Sequence, residues 1–184
     1  IQGGMYKDLR KRSAEQITSM PFDGFAIGGL SVGEPHDLMY DMLDYTVQWM
    51  PKNKARYLMG VGTPDCLVEG VARGIDMFDC VFPTRVARNG MAMVHTGRMN
   101  IKNKQYERDF TPLEEGCGCY TCRHFPRGYI RHLYKAEETL ALRLLTIHNL
   151  YFLLQFMRDM RQAILDGRFT EFRENFWAHY EKKK

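Results

Sequence analysis

The sequence lacks a clean apolar run. Its longest apolar-rich stretch, residues 140–160, is interrupted by Arg143, His148, Asn149, Gln155 and Arg158, too many polar groups for the roughly 20 consecutive apolar residues of a bilayer span. No membrane partner is expected. The opening residues lack a charged leader followed by an apolar run and a small-residue cleavage site, so secretion is not expected either. They also lack an initiator Met, which suggests a start inside a longer protein. Cysteine is scarce and odd in number, five residues, a poor basis for a disulfide framework, and a reducing, cytoplasmic setting follows as an expectation. At 184 residues the chain is short of the roughly 250 that a closed eight-stranded β/α barrel takes. No G-x-G-x-x-G dinucleotide loop is present.

What is present suits a folded core. Hydrophobic residues make up 45 % and charged residues 26 %, a balance that excludes intrinsic disorder and low-complexity character. The net charge of +4 is compatible with a polyanionic partner without indicating one.

The first part of the chain has β/α punctuation. A helix is expected over 5–17 and a short strand over 24–27, ending at Gly28-Gly29. Leu38, Met39, Met42, Leu43, Val47 and Met50 recur at helical spacing over 36–50 until Pro51 stops the pattern. A second strand is expected over 55–59, ending at Gly60. Thr63 as N-cap and Pro64 at the first helical position open the next helix, which Gly74 terminates. Residues 75–81 read as a third strand closed by Pro83. Three strands separated by helices imply parallel pairing, with the chemistry at the carboxyl ends of the strands. A hairpin is expected between 91–94 and 98–101 around Thr96-Gly97, after the Asn89-Gly90 turn. A long helical run over 136–165, apolar on more than one face, precedes a shorter helix over 170–179; such a run needs neighbours, either within the chain or in another subunit.

Cys117, Cys119 and Cys122 place three thiols within six residues, a spacing suited to one tetrahedral ion. His124, His132 and His148 could supply the fourth ligand. His148 is favoured because an imidazole among Leu144, Leu145, Ile147 and Tyr151 needs a polar partner. Three cysteines and one histidine close the coordination sphere, so the ion would be structural, one zinc per chain. Cys66 and Cys80 read as small buried apolar residues.

Asp79 sits inside the apolar run Met77-Phe78-Asp79-Cys80-Val81, where a carboxylate must face a site or an ion-pair partner such as Arg85 or Arg88. A second basic row, Arg123, Arg127, Arg131 and Lys135, has i, i+4 spacing. Such a row forms a solvated face or, beside a reactive carboxylate, a track for an RNA backbone. The adjacent glycines Gly28 and Gly29 would let a planar ligand approach the backbone, although a tight turn explains them as well.

Together these motifs resemble the tRNA-guanine transglycosylases, also called queuine tRNA-ribosyltransferases. The resemblance rests on GGLSVGE at 28–34, YLMGVGTPDCL at 57–67, GIDMFDCVFPTRVARNG at 74–90, CGCYTC at 117–122 and HN at 148–149. It corresponds to the C-terminal half of a family member. It implies an α/β fold, the C-terminal part of a (β/α)8 TIM barrel with an inserted zinc-binding subdomain and long C-terminal helices. Residues 1–101 would form the partial barrel, 102–148 the zinc subdomain and 149–184 the closing helices.

The family exchanges guanine at the wobble position of GUN-anticodon tRNAs for a 7-deazaguanine, a pentosyl transfer. By resemblance Asp79 is the nucleophile on the ribose C1′. Gln2, Gly28, Gly29, Leu30, Ser31, Glu34 and Met59 surround the base. Gly60, Val61, Gly62, Thr63, Pro64, Asp65 and Cys66, with Thr84, Arg85, Val86, Ala87 and Arg88, hold the RNA of the anticodon loop. By the same resemblance Cys117, Cys119, Cys122 and His148 would bind zinc. Val32 resembles the bacterial form, which inserts preQ1. Family members are commonly homodimers. The family's general acid/base aspartate would lie upstream of Ile1, so the chain alone is expected to be inactive. The alternative is a noncatalytic zinc-containing module for tRNA binding or dimerisation; the intact FDCVFPTR segment argues against the family's noncatalytic partner subunit.

Overall fold

A computed structural model describes residues 1–180. Contacts divide the chain into two compact units, Ile1–Val81 and a second beginning at Phe82.

The first unit alternates helix and strand: α1 (Lys7–Thr18), β1 (Gly24–Ile27), α2 (His36–Val47), β2 (Ala55–Leu58), α3 (Pro64–Ala72) and β3 (Met77–Phe78). The three strands form one parallel sheet in the order β1-β2-β3, as the βαβ punctuation requires. Period-2 alternation buries Phe25 and Ile27 of β1 and Arg56 and Leu58 of β2. The helical spacing of α2 buries Met39, Met42 and Leu43 against them, whereas Leu38 is turned outward. Thr63 does occupy the N-cap position of α3 with Pro64 at its first turn, but its hydroxyl makes no capping bond.

The third strand is shorter than its apolar run suggests, two residues in place of seven. The Asp76 carboxylate is drawn back to accept the Arg56 N–H at 2.8 Å. Past Phe78 the chain leaves the ladder. There the Asp79 carboxylate takes the Gly60 N–H. Gly62 packs so closely against this departing segment that an added Cβ would fall 2.2 Å from the Cys80 Cβ.

The second unit holds α4 (Phe82–Arg88), the antiparallel hairpin β4 (Met91–Val94) and β5 (Gly97–Asn100), a 3₁₀ turn at Lys104–Tyr106, and then α5 (Tyr120–His124), α6 (Arg127–Lys135), α7 (Thr139–Leu165) and α8 (Phe169–His179). Val94 pairs with Gly97, so the hairpin turn is His95-Thr96 and the second strand starts one residue earlier than the sequence pattern places it. Residues 84–88, which carry no helical signature beyond Pro83, are helical. The long helical run begins at Thr139 and not at 136, because Ala136 ends α6 and Glu137 adopts a left-handed φ of 58°.

By length and composition α7 could cross a membrane, more apolar than its interrupting polar residues suggest. Its position is that of a core helix: α4, α5, α6 and β4 pack on it, and it buries Leu144, Leu145, His148, Asn149, Phe152 and Phe156.

Candidate functional site

In the first unit the parallel sheet brings three strand ends side by side. β1 delivers Gly28 and Gly29, β2 delivers Met59 and Gly60, and β3 delivers Asp79. Asp79 is exposed. Its Oδ1 accepts the Tyr57 hydroxyl at 2.6 Å and the Gly60 N–H at 2.8 Å. The tyrosine hydroxyl first, and then the Gly60 amide, hold the carboxyl below its usual range, so it is ionised at neutral pH. The same bond raises the Tyr57 hydroxyl and keeps it a donor. The result is an exposed carboxylate, oriented by two donors on one oxygen and presented at the carboxyl edge of the sheet, where α/β proteins place ligands.

The glycine loop stands at the same sheet edge, with β2 between it and Asp79. An added Cβ on Gly28 would stand 3.2 Å from the Gln2 amide nitrogen and 3.5 Å from the Met59 sulfur, and one on Gly29 would stand 3.8 Å from the Gln2 amide oxygen. Gln2, Gly28, Gly29 and Met59 therefore converge. Gly29 has φ 67°, a conformation that glycine adopts without steric cost, and it leaves the backbone open to a flat ligand. Leu30 is buried beneath the loop. The Glu34 carboxylate closes the turn by accepting the Ser31 N–H through Oε1 and the Val32 N–H at 2.9 Å through Oε2. Burial opposes ionisation of Glu34, but the Glu34, Ser31 and Val32 amides together outweigh it and lower its pKa.

Two residues that sequence reasoning passed over hold this rim. Tyr57 is one. Arg10 of α1 is the other: fully buried, it donates through Nε to the Gly4 carbonyl at 2.7 Å and through Nη2 to the Gly28 and Gly29 carbonyls at 3.3 and 3.2 Å. A buried guanidinium bonded to backbone carbonyls fixes the peptide planes it touches. Burial lowers the Arg10 pKa, with Glu34 acting the other way.

Of the residues expected to hold RNA, 60–66 form the loop after β2 and the first turn of α3. Val61, Gly62, Pro64 and Cys66 are buried, Thr63 and Asp65 are half-buried, and Gly60 is exposed. Thr84 to Arg88 lie on α4 of the second unit, where Arg85 and Arg88 are exposed, Thr84 and Val86 half-buried and Ala87 buried. Of the basic row, Arg127, Arg131 and Lys135 share α6 at i, i+4 spacing, while Arg123 lies apart on α5. Pro126 separates α5 from α6, Arg127 pairs with Asp109 at 3.0 Å, and the Arg131 Nε bonds the Asn103 carbonyl at 3.0 Å.

In the second unit Cys117, Cys119, Cys122 and His148 come together, with their ligand atoms within 4.8 Å of one another. The His148 Nδ1 lies 3.8, 3.6 and 3.4 Å from the three sulfurs in order. A tetrahedral ion bound to sulfur and imidazole at standard lengths has a sulfur–nitrogen edge of about 3.5 Å. The donor set therefore fits a metal ion. His148 Nε2 lies 2.8 Å from the Met93 carbonyl, a bond that leaves the Nδ1 lone pair for the ion. The neighbouring Asn149 is fully buried and clamps the same hairpin, accepting the Met93 N–H at 2.8 Å and donating to the Pro83 and Met91 carbonyls at 3.0 Å each. His124 and His132 are exposed and stand outside the group.

The sequence model of a family described as queuine tRNA-ribosyltransferase matches residues 1–182. A protein named queuine tRNA-ribosyltransferase from Pelotomaculum thermopropionicum is 59 % identical over 181 residues, 98 % of this chain and 49 % of that protein. One of the same name from Staphylococcus epidermidis is 59 % identical over 180 residues, covering 98 % and 48 %. Another from Moorella thermoacetica is 57 % identical over 184 residues, covering 100 % and 49 %. The chain thus spans about half the length of the curated relatives it matches. With similarity running along its whole length, the chain belongs to the queuine tRNA-ribosyltransferase family.

Proposed function

We propose that this chain carries the nucleophile and part of the base pocket of a tRNA-guanine transglycosylase, a pentosyltransferase. The observation that carries the reading is the ionised, exposed Asp79, oriented by Tyr57 and Gly60 at the same sheet edge as the Gly28-Gly29 loop. A carboxylate oxygen of Asp79 attacks the ribose C1′ of the wobble nucleotide. The C1′–oxygen bond forms as the C1′–N9 bond breaks, and guanine leaves with the bonding electron pair and takes up a proton from the site's acid. The incoming base then attacks C1′ through N9, giving its N9 proton to the conjugate base left by the first step, as the C1′–oxygen bond breaks and restores the Asp79 carboxylate. Two displacements through one covalent intermediate let both bases use one pocket.

Gln2, with its amide, and Gly29, with its backbone, read the base edge, and Met59 covers the ring. Leu30, Ser31 and Glu34 shape the loop. The segments 60–66 and 84–88 hold the anticodon loop, Arg85 and Arg88 meeting phosphates. Val32 is 77 % exposed on the base loop, and a branched side chain there favours the small substituent of preQ1 over a bulkier one. The four-ligand cluster holds zinc, which supplies no chemistry to the reaction and ties the loop 117–122 to α7. The fold reading is the C-terminal part of a TIM barrel, residues 1–101, with a zinc subdomain at 102–148 and helices from 149 completing a homodimeric protein. Reduced thiols in the cluster suit a cytoplasmic setting.

The test uses a protein of the relatives' full length that contains this chain. Incubated with a GUN-anticodon tRNA and resolved under denaturing conditions, it is expected to give a covalent RNA adduct. Asp79→Asn is expected to abolish the adduct and spare noncovalent tRNA binding. An adduct that survives Asp79→Asn removes Asp79 from the chemistry. Binding with no adduct in the unaltered protein leaves the noncatalytic tRNA-binding module.

A further inference from the structure

We propose that the first unit carries a second, exchangeable metal site formed by His36, Asp65 and Cys66, with the chemistry of a zinc-class divalent ion. The three come from different elements. His36 opens α2, while Asp65 and Cys66 lie in the first turn of α3, and their ligand atoms fall within 4.8 Å of one another. The Cys66 sulfur is 3.9 Å from Nδ1 and 3.8 Å from Nε2 of His36, and Nδ1 is 3.7 Å from the Asp65 Oδ2. Tetrahedral edges among sulfur, nitrogen and oxygen ligands of such an ion run at about 3.3 to 3.5 Å. The two edges that His36 makes are therefore a few tenths of an ångström open, and turning its exposed ring would shorten them.

Two further features point to a ligand. Asp65 is mostly enclosed, and its Oδ1, the oxygen not paired with His36, is buried without a hydrogen-bond partner among the described residues, so the carboxylate is short of partners and costly to keep charged without a nearby cation. The Tyr40 hydroxyl, one helical turn beyond His36, donates to the Cys66 sulfur at 3.6 Å, the kind of supporting bond that orients a thiolate toward a metal. Imidazole, carboxylate and thiolate together select a borderline-soft ion over Mg²⁺ or Ca²⁺, which take all-oxygen sets. Binding releases the Cys66 thiol proton to solvent as the sulfur–metal bond forms. The His36 side is 57 % exposed, so the fourth position is open to water. That distinguishes this site from the closed Cys117-Cys119-Cys122-His148 group. The ion would brace the start of α2 against that of α3.

The proposal is independent of the glycosyl-transfer reading, and its test measures metal alone. The chain is first loaded with Zn²⁺ at the four-ligand cluster and then titrated with Co²⁺, with the sulfur-to-cobalt charge-transfer band and metal content read together. One further equivalent is expected, removed by a mild chelator before the first. Cys66→Ser is expected to abolish the band. His36→Ala, at an exposed position, is expected to weaken Co²⁺ binding by about tenfold or more while the zinc content and circular dichroism stay unchanged. Absence of the further equivalent, or its retention at full affinity in His36→Ala, overturns the site.

Discussion

The Tyr57 hydroxyl and the Asp79 carboxylate lie 2.6 Å apart, although 22 positions separate them in sequence. Parallel pairing of Tyr57 with Met77 and of Leu58 with Phe78 makes the contact, because the side chain two residues past Met77 then emerges beside the tyrosine. The bond holds the Asp79 pKa down. A group with a depressed pKa keeps its charge as pH falls until that lower value is reached, so the acid limb of adduct formation is expected below the ordinary carboxylate range. Tyr57→Phe removes the largest cause of the depression. The acid limb is expected to move up toward the usual aspartate value of about 3.9, and the neutral-pH rate to fall about tenfold through lost orientation. Single-turnover adduct formation measured across pH checks both, and a limb that stays in place assigns Tyr57 a packing role only.

Arg10 gives the second prediction. Its guanidinium, itself without exposed surface, bonds the carbonyls of Gly4, Gly28 and Gly29, so Arg10→Met leaves the buried Gly28 carbonyl without this donor and removes the tie to the other two. A loss of about 2–4 kcal/mol in stability is expected from urea unfolding. Arg10→Lys keeps the charge but cannot reach all three carbonyls from one ammonium. In a protein of the relatives' full length it is expected to raise the KM for the base more than it lowers kcat, because the backbone that reads the base edge is what loosens.

Some of this was legible in the sequence and some was not, for definable reasons. The thiol trio is local, and His148 betrayed itself as an imidazole in an apolar helical stretch, so their convergence could be read from spacing. β1 was bounded by glycines and alternation. Tyr57 and Arg10 left no such trace. A tyrosine in a strand-forming run is ordinary, and the acceptors of Arg10 are backbone carbonyls, which any sequence supplies. The early end of β3 was hidden because Val81 and Phe82 continue the apolar run after the backbone has left the sheet. The break before α7 was hidden because Glu137, not glycine, takes the left-handed conformation.

His148 and Asn149 are adjacent and equally buried, yet their substitutions are expected to separate metal binding from packing. His148→Ala removes one of four ligands and is expected to cost the chain its bound metal. Asn149→Ala leaves the four ligands in place and strips partners from the Met93 N–H and the Pro83 and Met91 carbonyls. It is expected to retain one metal per chain and to lose about 2–4 kcal/mol. Metal content by atomic emission, set beside urea midpoints, distinguishes the two. Equal metal loss in both would mean that the clamp on the hairpin, and not the imidazole, assembles the cluster.

Gly62 offers the last test, of whether the rim depends on close backbone approach. A methyl group there would lie 2.2 Å from the Cys80 Cβ and 3.0 Å from its sulfur, well inside van der Waals contact, and the Cβ is fixed to the main chain. Gly62→Ala must therefore move the loop after β2 or the segment after β3. Either movement disturbs the Gly60 amide, which shares the Asp79 Oδ1 with Tyr57. The expected outcome is a cost of about 1–3 kcal/mol from overpacking, with adduct formation falling well beyond what the unfolded fraction explains. Gly62→Ala combined with Cys80→Gly removes the clash at its source and is expected to recover both stability and rate in part. Failure of the second substitution to restore either would show that contact with Cys80 is not what requires glycine at this position.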